Sequence, residues 1–502
     1  MQRTTMLALA LGLSVAGAAA ASAQTLRIGL AEDPDILDPT QGRTFVGRIV
    51  FASLCDKLFD ITPDLKVVPQ LALSYAWSED AKHLTIQLRK GVKFQDGEAF
   101  NAAAAKFNFE RHINMPGSNR KGELSAVQTV DVVDDSTVRL NLAQPYSPLI
   151  AQLTDRAGMM VSPKAAQALG DKFGTAPVCA GPFKFVERVP QDRIVLERFA
   201  DYWDKGRIHF DKVVFTPIVD STVRLSNLQS GGLEIAERVA ATDLPAIRAD
   251  KRLKAASIVE LGYQGITFNV ANGPRSKNPL GADARVRQAF SLAIDRAAIT
   301  NVVYNGEFFP GNQWVPTNNP YYVKSVPVPK RDVARAKELL AEAGTPHPQV
   351  TLMTPPNPDI LQVAQLIQAM TKDAGFEVKI QATEFAAALQ SSQKGDFEAF
   401  LIAWSGRTDP DGNIFSFISC KGPLNDGHYC NEDVDKELAL ARTVEDPPER
   451  LKHYAKVEAI VSKELPIIYL FHRQWLWAMS AKLNGFVAYP DALIRPQDLK
   501  VN

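Results

Sequence analysis

The side chains best equipped for chemistry lie between Phe397 and Cys430, in FEAFLIAWSGRTDPDGNIFSFISCKGPLNDGHYC. Its apolar run, Ala399–Trp404, reads as a short buried strand. Ser405-Gly406-Arg407-Thr408-Asp409-Pro410-Asp411-Gly412 follows, rich in turn formers and in charged hydrogen-bonding groups. Small residues directly after a buried strand let a backbone approach a small molecule, and Trp404 supplies an aromatic wall beside Ser405, Gly406, Arg407 and Asp409. A guanidinium is a planar fork that matches carboxylate or phosphate and repels an ammonium in a dry cleft. Arg407 therefore reads as a group that meets an anionic or carbonyl-rich part of a solute. A competing reading pairs it with Asp409 or Asp411, where it only shapes the loop.

Four further residues could face the same solute. Trp314 sits in the polar, turn-rich Gly311-Asn312-Gln313-Trp314-Val315-Pro316, where it either stacks on a ligand or packs in the core. Tyr263 and Gln264 open an apolar strand, and Arg120 lies in Pro116-Gly117-Ser118-Asn119-Arg120-Lys121, where a solvated charge is the plainer reading. Trp475 and Trp477 alternate within an apolar run and read as core. Catalysis finds little support. Ser118 and Lys121 fit S-x-x-K but lie in a loop among Pro116, Gly117 and Gly122, and neither G-x-S-x-G nor H-E-x-x-H occurs. The seven histidines are scattered without zinc-ligand spacing. No catalytic residue, metal site or cofactor is expected.

The elements that must hold these residues begin after residue 23. Arg3, the apolar stretch Met6–Ala21 and Ala21-Ser22-Ala23 make an export signal with its cleavage site, so the mature chain is expected to start at Gln24. Gln24 is not a cysteine, so no lipid anchor is expected, and no later run reaches the ~20 apolar residues of a membrane span. Lys and Arg number 56 and Asp and Glu 56, which points away from nucleic acid or an anionic membrane as partner. The length calls for two or three lobes rather than one core. Four cysteines in an exported chain favour two disulfides. Cys420 and Cys430 are natural partners across turn residues, leaving Cys55 with Cys179; the other two pairings stay open.

Hydrophobic periodicity alternates between types. Strands are predicted at Thr25–Leu30, Leu84–Leu88, Val350–Met353 and Glu377–Gln381, and hairpins at Val130–Val133 with Thr137–Leu142 and at Gly181–Arg188 with Arg193–Phe199. Helices are predicted at Val50–Phe59, at Val333–Ala343 before Gly344, and at Ile360–Ala374 before Gly375, with Asp359 as cap. The class is mixed α/β.

Several segments together resemble the extracytoplasmic solute-binding proteins of peptide/nickel-type ABC importers, family 5, which include the dipeptide- and oligopeptide-binding proteins. They are Leu88–Gly97 (LRKGVKFQDG), Ala180–Phe185 (AGPFKF), Ile194–Arg198 with Asp201-Tyr202-Trp203, Asp283–Asp295 (DARVRQAFSLAID), and Trp404-Ser405-Gly406 with Asp409-Pro410-Asp411. They run in family order over nearly all of the mature chain.

The resemblance implies a two-lobed α/β binding-protein fold with a hinge and an extra domain. The first lobe is expected at 24–60, 178–270 and 483–502, the extra domain at 61–177, and the second lobe at 271–482. Cys55 and Cys179 then flank the extra domain, and Cys420 with Cys430 resembles a short-range disulfide of dipeptide-binding members. The implied function is capture of a small solute, a peptide or peptide-like compound that Arg407 allows to be anionic, in the periplasm. Delivery would be to an inner-membrane permease pair served by separate ATPase subunits, with the binding protein a monomer; a ligand-binding input for a chemoreceptor is the alternative, and a periplasmic hydrolase a remote one. Peptide binders of the family carry an aspartate three residues after the tryptophan, which holds the peptide ammonium. This sequence has Arg407 there. The loop Met353-Thr354-Pro355-Pro356-Asn357-Pro358 also lacks the arginine that holds a dipeptide's carboxylate.

Overall fold

A computed structural model describes residues 24–501. The expected export signal lies outside the described residues. Two large sheets dominate. One has seven strands in the order Leu253–Val259, Gln474–Ser480, Ile235–Glu237, Thr25–Leu30, Lys212–Pro217, Arg193–Arg198 and Phe183–Val189. The other has six, in the order Phe309–Pro310, Ile467–His472, Tyr263–Phe268, Ala399–Trp404, Gln349–Thr354 and Glu377–Ala382. A separate four-stranded antiparallel sheet, Ala72–Trp77, His83–Leu88, Thr137–Leu142 and Val127–Asp134, lies between the first and later strands of the seven-stranded sheet in sequence.

Strand composition explains this arrangement. Ala399–Trp404 and Ile467–His472 are nearly continuous apolar runs, and both lie inside their sheet with strands on each side. Thr137–Leu142 alternates and buries Val138, Leu140 and Leu142 against Phe94 and Phe109, the core of the four-stranded unit. Ile28, Phe51, Phe215 and Trp477 pack around the seven-stranded sheet, and Ile266, Phe290 and Leu352 around the six-stranded one.

The two large sheets are joined at two places. The chain leaves the seven-stranded sheet after Val259 and enters the six-stranded one at Tyr263, then returns between His472 and Gln474. These crossings correct the expected lobe boundaries at 270 and 482. Tyr263–Phe268 pairs with Ala399–Trp404, and Gln474–Ser480 pairs with Leu253–Val259, so each strand belongs to the sheet opposite the one expected. Only Glu260-Leu261-Gly262 and Arg473 separate the strands at the crossings, too short an interruption to mark a change of sheet in the sequence.

Two helix starts also differ. The helix expected at Val50–Phe59 spans Phe45–Leu54, because the Thr44 hydroxyl accepts from Gly47 N at 3.3 Å and caps it earlier. It ends at Cys55, which is extended and bonded to Cys179. The helix expected from Ile360 starts at Pro358, whose fixed φ suits a first turn, so Asp359 lies inside the helix rather than capping it. Both disulfides, Cys55–Cys179 and Cys420–Cys430, are present. No helix of the described residues is long and apolar enough to cross a membrane.

Candidate functional site

Between the two large sheets lies a cleft, and its position follows from the crossings. Tyr263 stands opposite Trp404 in register, at the ends of neighbouring strands that reach the crossing together. Tyr263, Gln264, Trp404 and Ser405 all border the cleft. The chain then turns sharply at Gly406, whose φ is +81°. A Cβ at Gly406 would come within 2.3 Å of Leu261 C and 2.4 Å of Gly262 N, so only glycine lets this loop fold over the crossing. Trp404 is fixed by its indole N–H, which donates to Asn413 Oδ1 at 3.0 Å. The seven-stranded side contributes Phe45 and Trp475, stacked with ring centroids 4.4 Å apart, and Glu32 paired with Arg238 at 2.7 Å. The six-stranded side adds Asp359, whose Oδ2 lies 3.4 Å from the Tyr304 hydroxyl.

Of the residues expected from the sequence to meet the solute, Trp404, Ser405, Tyr263, Gln264 and Arg120 border the cleft. The others do not. Gly406 supports the wall from behind. Asp409 accepts two bonds from Arg450 at 2.8 Å each, and Asp411 pairs with Arg442 at 2.8 Å. Trp314 is fully buried against Tyr454 in a core beneath the six-stranded sheet, since its apolar flank draws the loop inward.

Arg407 is the main correction. It is buried, its guanidinium lies over the Trp404 ring at 4.2 Å, and its partners are neither Asp409 nor Asp411. Its Nε lies 3.3 Å from Asp155 Oδ2 and its Nη2 3.8 Å from Glu123 Oε1. Asp409 and Asp411 are already held by Arg450 and Arg442, which turns Arg407 toward the inserted segment.

Arg407 thereby joins a larger group. Asp155 is also paired with Arg48, whose Nη2 lies 2.6 Å from Oδ2 and whose Nε donates to Oδ1 at 3.2 Å, and Arg156 Nε lies 3.7 Å from Oδ1. Arg120 bonds Glu123, Arg156 Nη1 donates to Gly42 O at 2.6 Å, and Arg48 Nη1 donates to Ser405 Oγ at 2.9 Å. Burial opposes ionisation of Asp155, but Arg407, Arg48 and Arg156 together hold its carboxyl well below the usual range. The guanidinium of Arg407 is lowered to about 10, by burial first, with Arg48 and Arg120 adding to it against the opposing pull of Asp155 and Glu123. Burial and the same cationic neighbours push Arg156 well down. Arg120 and Arg156 form the cleft-facing side of the group, next to Arg43, whose Nη2 lies 3.5 Å from Asp426.

Sequence reasoning missed Arg43, Phe45, Arg156, Arg473 and Trp475 as cleft residues. Asp155-Arg156 is the one charged pair inside Leu149–Val161, whose other residues are apolar or small except Gln152 and Thr154, and that interruption was the available signal. Trp475 is buried, as expected for core, yet it borders the cleft because its strand is the one that crosses between sheets.

Comparison with known proteins agrees with this architecture. The model of bacterial extracellular solute-binding proteins, family 5 Middle, matches residues 66–425. The glutathione-binding protein GsiB of Salmonella typhimurium (strain LT2) is 32% identical over 497 residues, covering 96% of each chain. GsiB of Escherichia coli (strain K12) is 29% identical over 504 residues, covering 98% of this chain and 97% of its own. Among solved structures, the binding protein AgaA of A. tumefaciens R10 in complex with agropinic acid superposes with a TM-score of 0.86 at 28% identity, over 95% of this chain and 99% of its own. The dipeptide-binding protein of Pseudoalteromonas sp. SM9913 with Met-Leu shares the fold at 22% identity and a TM-score of 0.88, over 95% and 100% of the two chains.

Proposed function

The chain belongs to family 5 of the bacterial extracellular solute-binding proteins, and we propose that it is the periplasmic receptor for one peptide-like solute of an ABC importer. Homologues in this family act as substrate receptors of ABC importers for peptides or peptide-like ligands. The solute is held in the cleft, between Trp404, Ser405, Tyr263 and Gln264 on one wall and Phe45 and Trp475 on the other, with Arg43, Arg120 and Arg156 at one end. The protein releases it to an inner-membrane permease pair, and ATP hydrolysis belongs to separate subunits. It binds its solute without transforming it.

The observation that carries this reading is a cleft bounded by two sheets that the chain joins at two strand crossings, with ligand-type side chains on both walls. We read residues 24–60, 178–259 and 474–501 as one lobe, 263–472 as the other and 61–177 as the inserted domain. A solute that touches both walls gains contacts only when the lobes close, so binding shifts the population to the closed form. Arg407 stands where the family's peptide binders have an acidic ammonium anchor, and the cleft end is cationic. Peptide-like compounds with a carboxylate at that end therefore fit better than simple dipeptides, and glutathione is the first to try, given the relatives' names.

A thermal-shift panel of the chain from Gln24 onward tests this. It should contain dipeptides, tripeptides, glutathione, opine-type conjugates and organic acids without a peptide backbone. A solute that binds only the folded state adds about 2.7 kcal/mol at a hundredfold excess over Kd. A shift with glutathione or a related conjugate is expected, with the compound recovered unchanged. Shifts confined to acids lacking any peptide-like backbone, or turnover of the compound, would overturn the reading.

A further inference from the structure

We propose that the arginine group at the cleft end is an anion-dependent latch: it is assembled by lobe closure, carries more positive charge than its own carboxylates cancel, and is completed by a carboxylate-bearing end of the solute. The inference deepens the solute-receptor reading and rests on it.

Three separate parts of the chain build the group. Arg48 comes from the helix beside the seven-stranded sheet, Arg120, Glu123, Asp155 and Arg156 from the inserted segment, and Arg407 with Ser405 from the loop after the six-stranded sheet's Ala399–Trp404. Arg48 to Ser405 and Arg407 to Asp155 are contacts between the two sides of the cleft, so rotation about the crossings takes the group apart. Four guanidinium groups, Arg48, Arg120, Arg156 and Arg407, share two carboxylates, Asp155 and Glu123. Two positive charges remain over in a region where Arg48, Arg120, Arg156 and Arg407 are each at most 5% exposed. The neighbouring carboxylates do not compensate, because Asp426 is paired with Arg43 and Asp411 with Arg442.

The donors show the same excess. Arg43 Nη1, Arg120 Nε, Arg156 Nε, and Arg407 Nε and Nη2 are buried without a hydrogen-bond partner among the described residues, five nitrogens against three such oxygens, Glu123 Oε2, Gln152 Oε1 and Asp155 Oδ2. An unpaired buried guanidinium N–H is costly, and a buried like-charge surplus more so. Arg43, Arg120 and Arg156 border the cleft, so an anion held there reaches the surplus directly. Closure without an anion brings like charges together; closure around one pairs them. A neutral solute of the same shape fills the cleft but leaves the group uncompensated. The class of solute this selects carries two carboxylates, or one dianionic end, beside a peptide-like body.

Two measurements on the mature chain test the latch. In the first, small-angle scattering compares unliganded wild type with Arg156→Gln, which removes one surplus charge. The variant is expected to be the more compact; equal radii of gyration overturn the latch. Should Arg156→Gln fail to fold, Arg407→Gln removes the same charge from the opposite side. In the second, calorimetry compares glutathione with its diethyl ester. The ester is expected to bind wild type about ten- to a hundredfold more weakly, and the gap to narrow in the variant. Equal affinities for acid and ester overturn the latch and leave solute capture standing. If neither compound binds but the variant still compacts, the latch stands and the peptide-like solute reading falls.

Discussion

Glu260 and Arg473 sit on the two crossings between the sheets and clasp each other. Glu260 N donates to Arg473 O at 3.0 Å, Arg473 N donates to Glu260 Oε1 at 2.7 Å, and Arg473 Nε donates to Oε2 at 2.9 Å. Glu260 is buried, and burial raises its pKa above the usual value in spite of Arg473. The pair ties together the only two connections between the large sheets among the described strands, and Arg473 also borders the cleft, 4.7 Å above the Trp475 ring.

Removing one partner leaves a buried charge unpaired, which typically costs about 3–5 kcal/mol. Arg473→Met is expected to lower unfolding stability by that order and to broaden the distribution of lobe arrangements. Denaturant unfolding and small-angle scattering read the two effects. A variant with wild-type stability and scattering would show that the clasp does not control the crossing.

Glu458 predicts a pH dependence. It is buried in the core with Trp314 and Tyr454, its Oε2 has no hydrogen-bond partner among the described residues, and burial pushes its pKa up from 4.5 to about 8. The folded state thus keeps a proton that the unfolded chain gives up above its ordinary pKa. Stability from this group is fully present below about pH 4.5 and declines as pH rises toward 8, at up to about 1 kcal/mol per pH unit. Glu458→Gln should flatten the fall in urea midpoint between pH 5 and 8. An unchanged slope would place the ionisation elsewhere.

The Cys55–Cys179 disulfide closes a loop with a sequence separation of 124 around the inserted segment. The chain-entropy relation gives about 5 kcal/mol for a loop of that size. Cys55→Ala with Cys179→Ala should lower stability by a large part of this. Cys420→Ala with Cys430→Ala, across a separation of 10, should cost less. Equal losses in the two double variants would contradict the loop-length account.

Gly406→Ala tests the cleft wall. At φ +81°, with a Cβ 2.3 Å from Leu261 C, alanine requires the loop or the crossing to move. Backbone strain of this kind costs about 1–3 kcal/mol. The variant should be less stable, and its tryptophan fluorescence should change as Trp404 shifts. A stable variant with an unaltered spectrum would show that the loop has room to adjust.

Local pattern was sufficient wherever it agreed with the demands of neighbouring residues. The apolar run Ala399–Trp404 is the strand it appears to be, the two hairpins form, and Gly344 and Gly375 follow their helices. Ordered motifs identified the family, and cysteine spacing with the resemblance gave both disulfides. The wall formed by Trp404, Ser405, Tyr263 and Gln264 was legible because two strand ends supply it.

The remaining features depend on contacts between distant parts of the chain. Arg407 has acidic residues two and four positions away, yet those are taken by Arg450 and Arg442, and it pairs instead with Asp155 and Glu123 on the far side of the cleft. Arg43, Arg156 and Trp475 come to one cleft from widely separated parts of the chain. Local sequence specifies what a side chain can bond to. Which partner it meets is set by competition among all the groups that folding brings within reach, and in a buried cluster that competition is settled by the charge balance of the whole group.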